Sequence, residues 1–141
     1  MDEMEILRDD IYPDIILDKE NGIFEIKGIS MPENAKFFYK PVLDFLNEYV
    51  HAPNKVTHFV FNLKYFNISS SKMILFILYK LQEIHKAGHT VLVTWCYDDE
   101  SDDILEAGQD YEMMSKIPFQ YKEVMFKEIK ENKESKESKE G

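Results

Sequence analysis

The sequence predicts an α/β domain built from a single sheet flanked by helices. Short apolar or alternating segments that are typical of strands alternate along the chain with longer segments whose apolar residues recur at helical spacing. One strand pattern, residues 59–63, is followed closely by the apolar helix pattern of residues 73–78. Strands connected by helices pair in parallel. We therefore expect a mixed central sheet of about five strands with three flanking helices, in the order β-β-α-β-α-β-α-β.

Turn and capping residues predict where the elements end. Asn21-Gly22 is typical of a two-residue hairpin turn between the first two strands. Pro41 lies inside the first helix and predicts a kink or an irregular first turn. Gly88 should end the second helix, because glycine often stands just past a helix end. The predicted elements are strands at residues 14–18, 23–27, 56–63, 91–97 and 119–124, and helices from a cap at Asn34 to about residue 50, from about Ser70 to Lys86 and from about Ser101 to Met114.

The composition predicts one folded domain with a charged extension at each end. The chain has 141 residues, of which 44% are hydrophobic and 13% aromatic, and this suffices for one core. Residues 1–11 form an acidic N-terminal extension, and residues 12–126 form the domain. Residues 127–141 contain five lysines, five glutamates and one apolar residue, so they bury too little surface to offset the entropy of ordering. We expect this tail to be disordered.

Charge and apolar patterning exclude several classes of partner. The net charge of −10 and the single arginine, Arg8, argue against nucleic-acid binding, which needs clustered basic side chains. No apolar run is long enough to span a bilayer, and the acidic start differs from the basic start of a signal peptide. The lone cysteine, Cys96, fits a reducing compartment. We expect a cytoplasmic protein without nucleic-acid or membrane partners.

The sequence lacks catalytic motifs, and we predict that the protein is not an enzyme. The four histidines show no metal-ligand spacing with one another or with Cys96. Ser69 lacks the flanking glycines of a hydrolase nucleophile, and residues 69–72 lack the glycines of a phosphate-binding loop. We predict no catalytic residues, no metal site and no cofactor.

The most informative segment is the junction between the third strand and the second helix. An alternating apolar strand pattern ends in Asn67, and three serines follow where the helix pattern begins. One hypothesis is that Ser69 or Ser70 caps the helix, because a serine oxygen accepts hydrogen bonds from the first free amides of a helix. The other is that Ser69, or failing that Ser70, accepts a phosphate, which a helix N-terminus stabilises.

A run of acidic residues follows the fourth strand. Residues 98–112 carry eight acidic side chains and no basic one. Carboxylates are ligands for Mg²⁺ and Ca²⁺, but the spacing lacks the glycine and the terminal glutamate of an EF-hand loop. Acidic side chains also stabilise a helix N-terminus. We favour this second explanation and expect an exposed acidic edge that a partner can use.

Several motifs in a fixed order resemble one known family. They are MPEN at residues 31–34, YFNISSSK at residues 65–72, VTW at residues 93–95, LEAGQDYE at residues 105–112 and PF at residues 118–119. Together they resemble the SiaC family of regulatory phosphoproteins over residues 12–122. The order of the predicted elements is compatible with a STAS-like fold, and the resemblance implies the same fold.

The resemblance also implies a function. Members of the family are phosphorylated by a dedicated protein kinase, dephosphorylated by a metal-dependent Ser/Thr phosphatase and, when unphosphorylated, bind and activate a GGDEF diguanylate cyclase. Where the family motif reads Asn-Thr-Ser-Ser with the threonine phosphorylated, this chain reads Asn67-Ile68-Ser69-Ser70. Either a neighbouring serine has taken over or the switch is lost, which leaves a constitutive interaction module as the alternative. The predicted partner surface comprises Asn67, Ile68, Ser69, Ser70 and Lys72, with Asp98, Asp99, Asp102 and Asp103 as its acidic edge.

Overall fold

The computed structural model describes residues 11–100 and 102–125. Within them, five strands and three helices follow the predicted order, which confirms the fold class and is compatible with a STAS-like fold. The predicted extension (except Ile11) and the predicted tail lie outside the described residues. The elements are β1 (Asp14–Asp18), β2 (Ile23–Ser30), α1 (Ala35–Tyr49), β3 (Val56–Phe66), α2 (Ile68–Lys86), β4 (Thr90–Asp98), α3 (Asp102–Ser115) and β5 (Phe119–Val124).

The sheet has the strand order β1-β2-β3-β4-β5. β1 and β2 pair antiparallel, and every later pair is parallel and joined by a helix. Right-handed connections that always step in the same direction lie on one face of a sheet. The three helices therefore cover one face, and α2 packs between α1 and α3. The parallel arrangement also places the ends of β2, β3 and β4 at one edge of the sheet, called here the carboxyl edge.

The core lies between the helices and the covered face of the sheet. Phe59, Phe61 and Leu63 alternate along β3 as fully buried side chains, while the residues between them are only half-buried. This alternation follows from the two-residue period of a strand, which sends successive side chains to opposite faces. From the helices, the buried side chains include Tyr39 and Leu46 of α1 and Ile74, Ile77, Leu78 and Leu81 of α2.

Helix α3 lies unusually close to β4 because of Trp95 and Gly108. The indole Nε1 of Trp95 donates a hydrogen bond to the carbonyl oxygen of Ile104, at 2.7 Å. A Cβ on residue 108 would lie only 2.4 Å from Cδ1 of the same indole. Glycine at position 108 therefore lets the helix backbone rest on the tryptophan ring, and the structure brings together two of the motifs that resemble the SiaC family.

The structure corrects the predicted length of the β1–β2 turn. The hairpin between β1 and β2 is confirmed, but its loop has four residues, 19–22, rather than two. The carboxylate of Asp18 accepts hydrogen bonds from the backbone amide and the side chain of Asn21, which closes the longer loop. Gly22 then takes the positive φ of 68° that returns the chain to β2.

Helix α1 begins after Asn34, as predicted, and runs unbroken through Pro41. Pro41 therefore does not break the helix. Pro41 cannot donate a hydrogen bond to the carbonyl of Phe37, but both residues are exposed, so water can bond this carbonyl.

Within the described part of the chain, no helix combines the length and the apolar character needed to cross a membrane.

Candidate functional site at the strand–helix junction

The junction is organised by Asn67, which is the N-cap of α2. Its backbone is extended, and its Oδ1 accepts a hydrogen bond from the amide of Ser70 at 2.9 Å. Helix α2 therefore starts at Ile68, two residues earlier than predicted, and the hypothesis that Ser69 or Ser70 caps it is wrong. The physical reason is that asparagine is itself a strong N-cap, and its side chain reaches the third amide of the helix.

Asn67 also ties the junction to the end of β2. Its amide donates to the carbonyl oxygen of Ser30 at 3.0 Å. Its Nδ2 donates a longer hydrogen bond, of 3.4 Å, to the carbonyl oxygen of Pro32. The first turn of α2 is thus held against the loop that leads into α1.

Ser70 is part of a buried hydroxyl network. Its Oγ lies 2.8 Å from the Oγ of Ser30 and donates to the carbonyl oxygen of Ser30 at 3.2 Å. The Ser30 hydroxyl lies 2.5 Å from the phenol of Tyr39 in α1. These bonds are consistent if Tyr39 donates to Ser30 and Ser30 donates to Ser70, because each hydroxyl carries one proton. Burial raises the pKa of Tyr39, which keeps the phenol protonated as a donor.

The three serines differ in their exposure and in their partners. Ser70 has no exposed surface. Ser71 is half-buried; its Oγ donates to the carbonyl oxygen of Ile68 at 2.6 Å, and its own carbonyl accepts from the phenol of Tyr111 at 2.8 Å. Ser69 is exposed, and its Oγ makes only a long contact of 3.4 Å with Oδ1 of Asn67. Of the three, Ser69 is the exposed residue and its hydroxyl has the longest hydrogen bond, so this hydroxyl is the most open to a modifying enzyme.

Ile68 and Lys72 complete the exposed part of the junction. Ile68, at the position where the resemblance places the family's threonine, is 90% exposed, so this apolar side chain has little contact with its own domain. Lys72 is exposed one turn further along α2, with its Nζ 6.0 Å from the centroid of the Phe76 ring. The predicted partner residues of the junction therefore lie at the surface, apart from Ser70, which is buried, and Asn67, which is half-buried.

The acidic run lies at the same carboxyl edge, after β4. Asp98 ends this strand, and its carboxylate accepts a hydrogen bond from the amide of Glu100 at 2.9 Å. Asp102 and Asp103 are exposed in the first turn of α3, where the helix dipole stabilises them. Hydrogen bonding to Asp98, with smaller effects of desolvation and neighbouring carboxylates, raises the pKa of Asp99.

Across residues 11–100 and 102–125, no three acidic, histidine or cysteine side chains are grouped as a metal site requires.

The sequence did not reveal the buried part of this site. Ser30 and Tyr39 are 40 and 31 positions away from Ser70, and no local pattern links them to the junction. Tyr111 also lies 40 residues from Ser71, to which it donates. The one available signal is the position of Ser30 in β2, since it falls in the same alternating set as the buried Phe24 and Ile26.

The comparison with protein families decides the assignment. The family model for SiaC family regulatory phosphoproteins matches residues 6–124. The chain belongs to the SiaC family. The match covers all five strands and all three helices of the described fold. It also contains both the junction and the acidic run.

Similar proteins from Pseudomonas aeruginosa support the assignment. An uncharacterized protein of strain UCBPP-PA14 is 28% identical over 107 residues, which cover 76% of this chain and 85% of that protein. The crystal structure of the diguanylate cyclase SiaD in complex with its activator SiaC contains a similar chain, with a TM-score of 0.75 and 27% identity over 82% of this chain and 94% of that one. A structure of SiaC has a TM-score of 0.74 and 26% identity, over 82% of this chain and 93% of the other.

Proposed function

We propose that this SiaC family protein is a non-enzymatic regulator that binds a signalling partner through the carboxyl edge and is switched by phosphorylation of Ser69. The observation that carries the proposal is the contrast between neighbouring serines. Ser69 is exposed and nearly free of hydrogen bonds, whereas Ser70 is buried in the network with Ser30. A phosphate on Ser69 therefore changes the surface while the buried contacts that hold the junction remain.

A phosphate at this position is compatible with the folded protein. It adds about −1.5 to −2 charges, and it does so in the first turn of α2, where the positive end of the helix dipole lies. The amides of Ile68 and Ser69 lie ahead of the helix's own hydrogen-bond ladder and are suited to bind phosphate oxygens. The new charge instead opposes any partner group that packs against the junction, through desolvation and like-charge repulsion.

The partner that we propose is a GGDEF diguanylate cyclase, which the unphosphorylated protein activates. The support is the similar chain in the SiaD complex, in which SiaC is the activator of a diguanylate cyclase. The switch requires a protein kinase for Ser69 and a metal-dependent Ser/Thr phosphatase that removes the phosphate. We propose a cytoplasmic location, which fits such partners and the lone cysteine.

The absence of catalysis is part of the proposal, and the neighbours of the polar side chains support it. The buried Ser70 contacts hydroxyl groups and a carbonyl rather than a base. His58 is engaged with the hydroxyl of Thr94 on the opposite face of the sheet from the helices. Ser70 therefore has no base beside it. His58 does lie against the hydroxyl of Thr94, but Thr94 is buried and its Oγ1 also accepts a hydrogen bond from Nε2 of Gln120, so this pair offers no accessible nucleophile of the kind that covalent catalysis requires.

The experiment is phosphorylation by the cognate kinase, followed by intact-mass and peptide analysis. We expect one phosphate on wild-type protein and none on Ser69→Ala. Ser71→Ala is the matched control, because Ser71 lies two residues away but is half-buried. Modification of Ser69→Ala to the wild-type extent would refute the assignment of the acceptor.

A constitutive interaction module is the second candidate, and Ile68 is the observation that favours it. An isoleucine that is 90% exposed at the position corresponding to the family's threonine can serve as an apolar anchor for the partner. In that case Ser69→Ala and the phosphorylated protein would bind the cyclase equally well.

A further inference from the structure

We propose that Lys72 is the counter-ion of the phosphate on Ser69 and that it leaves the ring of Phe76 to take this role. The inference rests on the proposed phosphorylation of Ser69 and specifies how that modification acts. If Lys72 moves in this way, phosphorylation changes the outer face of α2 around Phe76 as well as the side chain of Ser69.

Helical spacing places the three groups in one row. Lys72 follows Ser69 by three residues and precedes Phe76 by four, and side chains three or four apart are neighbours on a helix surface. Lys72 Nζ lies 6.0 Å from the centroid of the Phe76 ring, at the outer limit of a cation–π contact. This contact is weak at an exposed site, so a dianion at position 69 competes with it successfully.

Lys72 is also available for a new ion pair. Within the described residues, the ion pairs are those of Lys40 with Asp44 at 2.7 Å and of Lys80 with Glu83 at 3.6 Å. Neither ion pair includes Lys72. Among the described residues, therefore, no carboxylate pairs with the ammonium of Lys72. Lys72 is also the lysine of α2 nearest in sequence to Ser69.

The local charge favours the same pairing. Helix α2 contains three lysines and one glutamate, a net charge of +2 with histidines neutral, in a chain whose net charge is −10. The neighbouring α3 contains five acidic residues and no basic one, a net charge of −5. A phosphate on Ser69 is therefore attracted along α2 rather than toward α3.

The movement of Lys72 alters a surface that reaches beyond the junction. Phe76 is 38% exposed and Tyr79 is 40% exposed, and both continue the row that begins at Ser69. Seven residues separate Ser69 from Phe76, which corresponds to about 10 Å along the helix. Phosphorylation thus adds negative charge at Ser69 and moves the positive charge of Lys72 away from Phe76. A partner that binds across this row is therefore affected at both places.

The test uses the full chain with phosphoserine installed at position 69 by genetic-code expansion, so that no kinase is needed. A ³¹P NMR titration gives the pKa for the second ionisation of the phosphate. A paired ammonium lowers this pKa, so we expect Lys72→Met to raise it by about 0.3 or more. Lys80→Met is the matched control, since Lys80 lies on the same helix but eleven residues from Ser69. It should leave the pKa within about 0.1, because solvent and salt screen charges at that distance.

A second measurement follows the lysine itself. The ring current of Phe76 displaces the ε-methylene resonances of Lys72, and phosphoserine at position 69 should return them toward the values seen in Phe76→Leu. Equal phosphate pKa values in the wild type and in Lys72→Met would overturn the inference. Unchanged Lys72 resonances would overturn the release from Phe76. Modification of another residue by the cognate kinase would instead refute the proposed acceptor, which these measurements do not address.

Discussion

The hydroxyl oxygens of Ser30 and Ser70, 40 residues apart in the sequence, lie 2.8 Å from each other with no exposed surface on either residue. This contact joins the end of β2 to the first turn of α2. It gives Ser70 a structural role and leaves the neighbouring Ser69 free at the surface. The two serines should therefore respond in opposite ways to substitution.

Ser70→Ala should lower the free energy of unfolding by about 1 to 3 kcal/mol, because it removes the acceptor of the buried Ser30 hydroxyl proton and one of the two donors to the carbonyl oxygen of Ser30. Ser69→Ala is the matched control and should stay within about 0.5 kcal/mol of the wild type, as exposed substitutions usually do. Urea denaturation of both variants checks the prediction. Equal stabilities would show that the buried network contributes nothing to the fold.

Gly108→Ala should destabilise the protein by about 1 to 3 kcal/mol, although alanine favours helices. The reason is that a Cβ at position 108 overlaps the indole of Trp95. Trp95→Phe supplies the control, because the smaller ring should reduce the additional cost of Gly108→Ala in a double-mutant cycle. Stabilisation of the wild-type background by Gly108→Ala would contradict the close packing of α3 on β4.

Asp99→Asn should raise the melting temperature at pH 7. Hydrogen bonding to Asp98 is the largest cause that raises the pKa of Asp99 in the folded protein. A carboxyl with a raised folded-state pKa opposes folding once it ionises, so its favourable contribution is present below the unfolded-state pKa and is lost as the pH rises through the folded-state pKa. The advantage of Asp99→Asn should therefore vanish at about pH 3. Thermal unfolding at the two pH values decides, and an equal effect at both would contradict the pKa direction.

Neutralising Asp102 and Asp103 together should slow association with the cyclase and weaken its dependence on salt, with little effect on dissociation. Exposed charges at the rim of an interface act mainly on the encounter rate. Glu20→Gln is the control, because Glu20 is exposed in the β1–β2 loop, at the sheet edge opposite to the acidic run. Binding kinetics at two ionic strengths measure both rates. A faster dissociation with unchanged association would move these carboxylates from the rim into the interface.

The elements could be predicted from the sequence because their signals are local. The periods of the apolar residues give the order of strands and helices, and Asn34 and Gly88 mark helix ends where expected. The sequence does not identify the cap of α2, because asparagine and three serines are all suited to that position and only the structure shows that the backbone of Asn67 is extended. The burial of Ser70 depends on Ser30 and Tyr39. Because these contacts join residues that are distant in the chain, no local sequence pattern around residue 70 predicts them.

In the proposed switch, a phosphate on Ser69 controls the binding of the partner. The most direct measurement is the affinity of the cognate GGDEF diguanylate cyclase for four forms of the full chain: the wild type, Ser69→Ala, Ser71→Ala and the protein with phosphoserine installed at position 69. We predict that the first three bind alike and that phosphoserine weakens binding by about tenfold or more, through like-charge repulsion and desolvation at the junction. Equal affinity of the phosphoserine form and Ser69→Ala would contradict the account and identify the protein as a constitutive binding module.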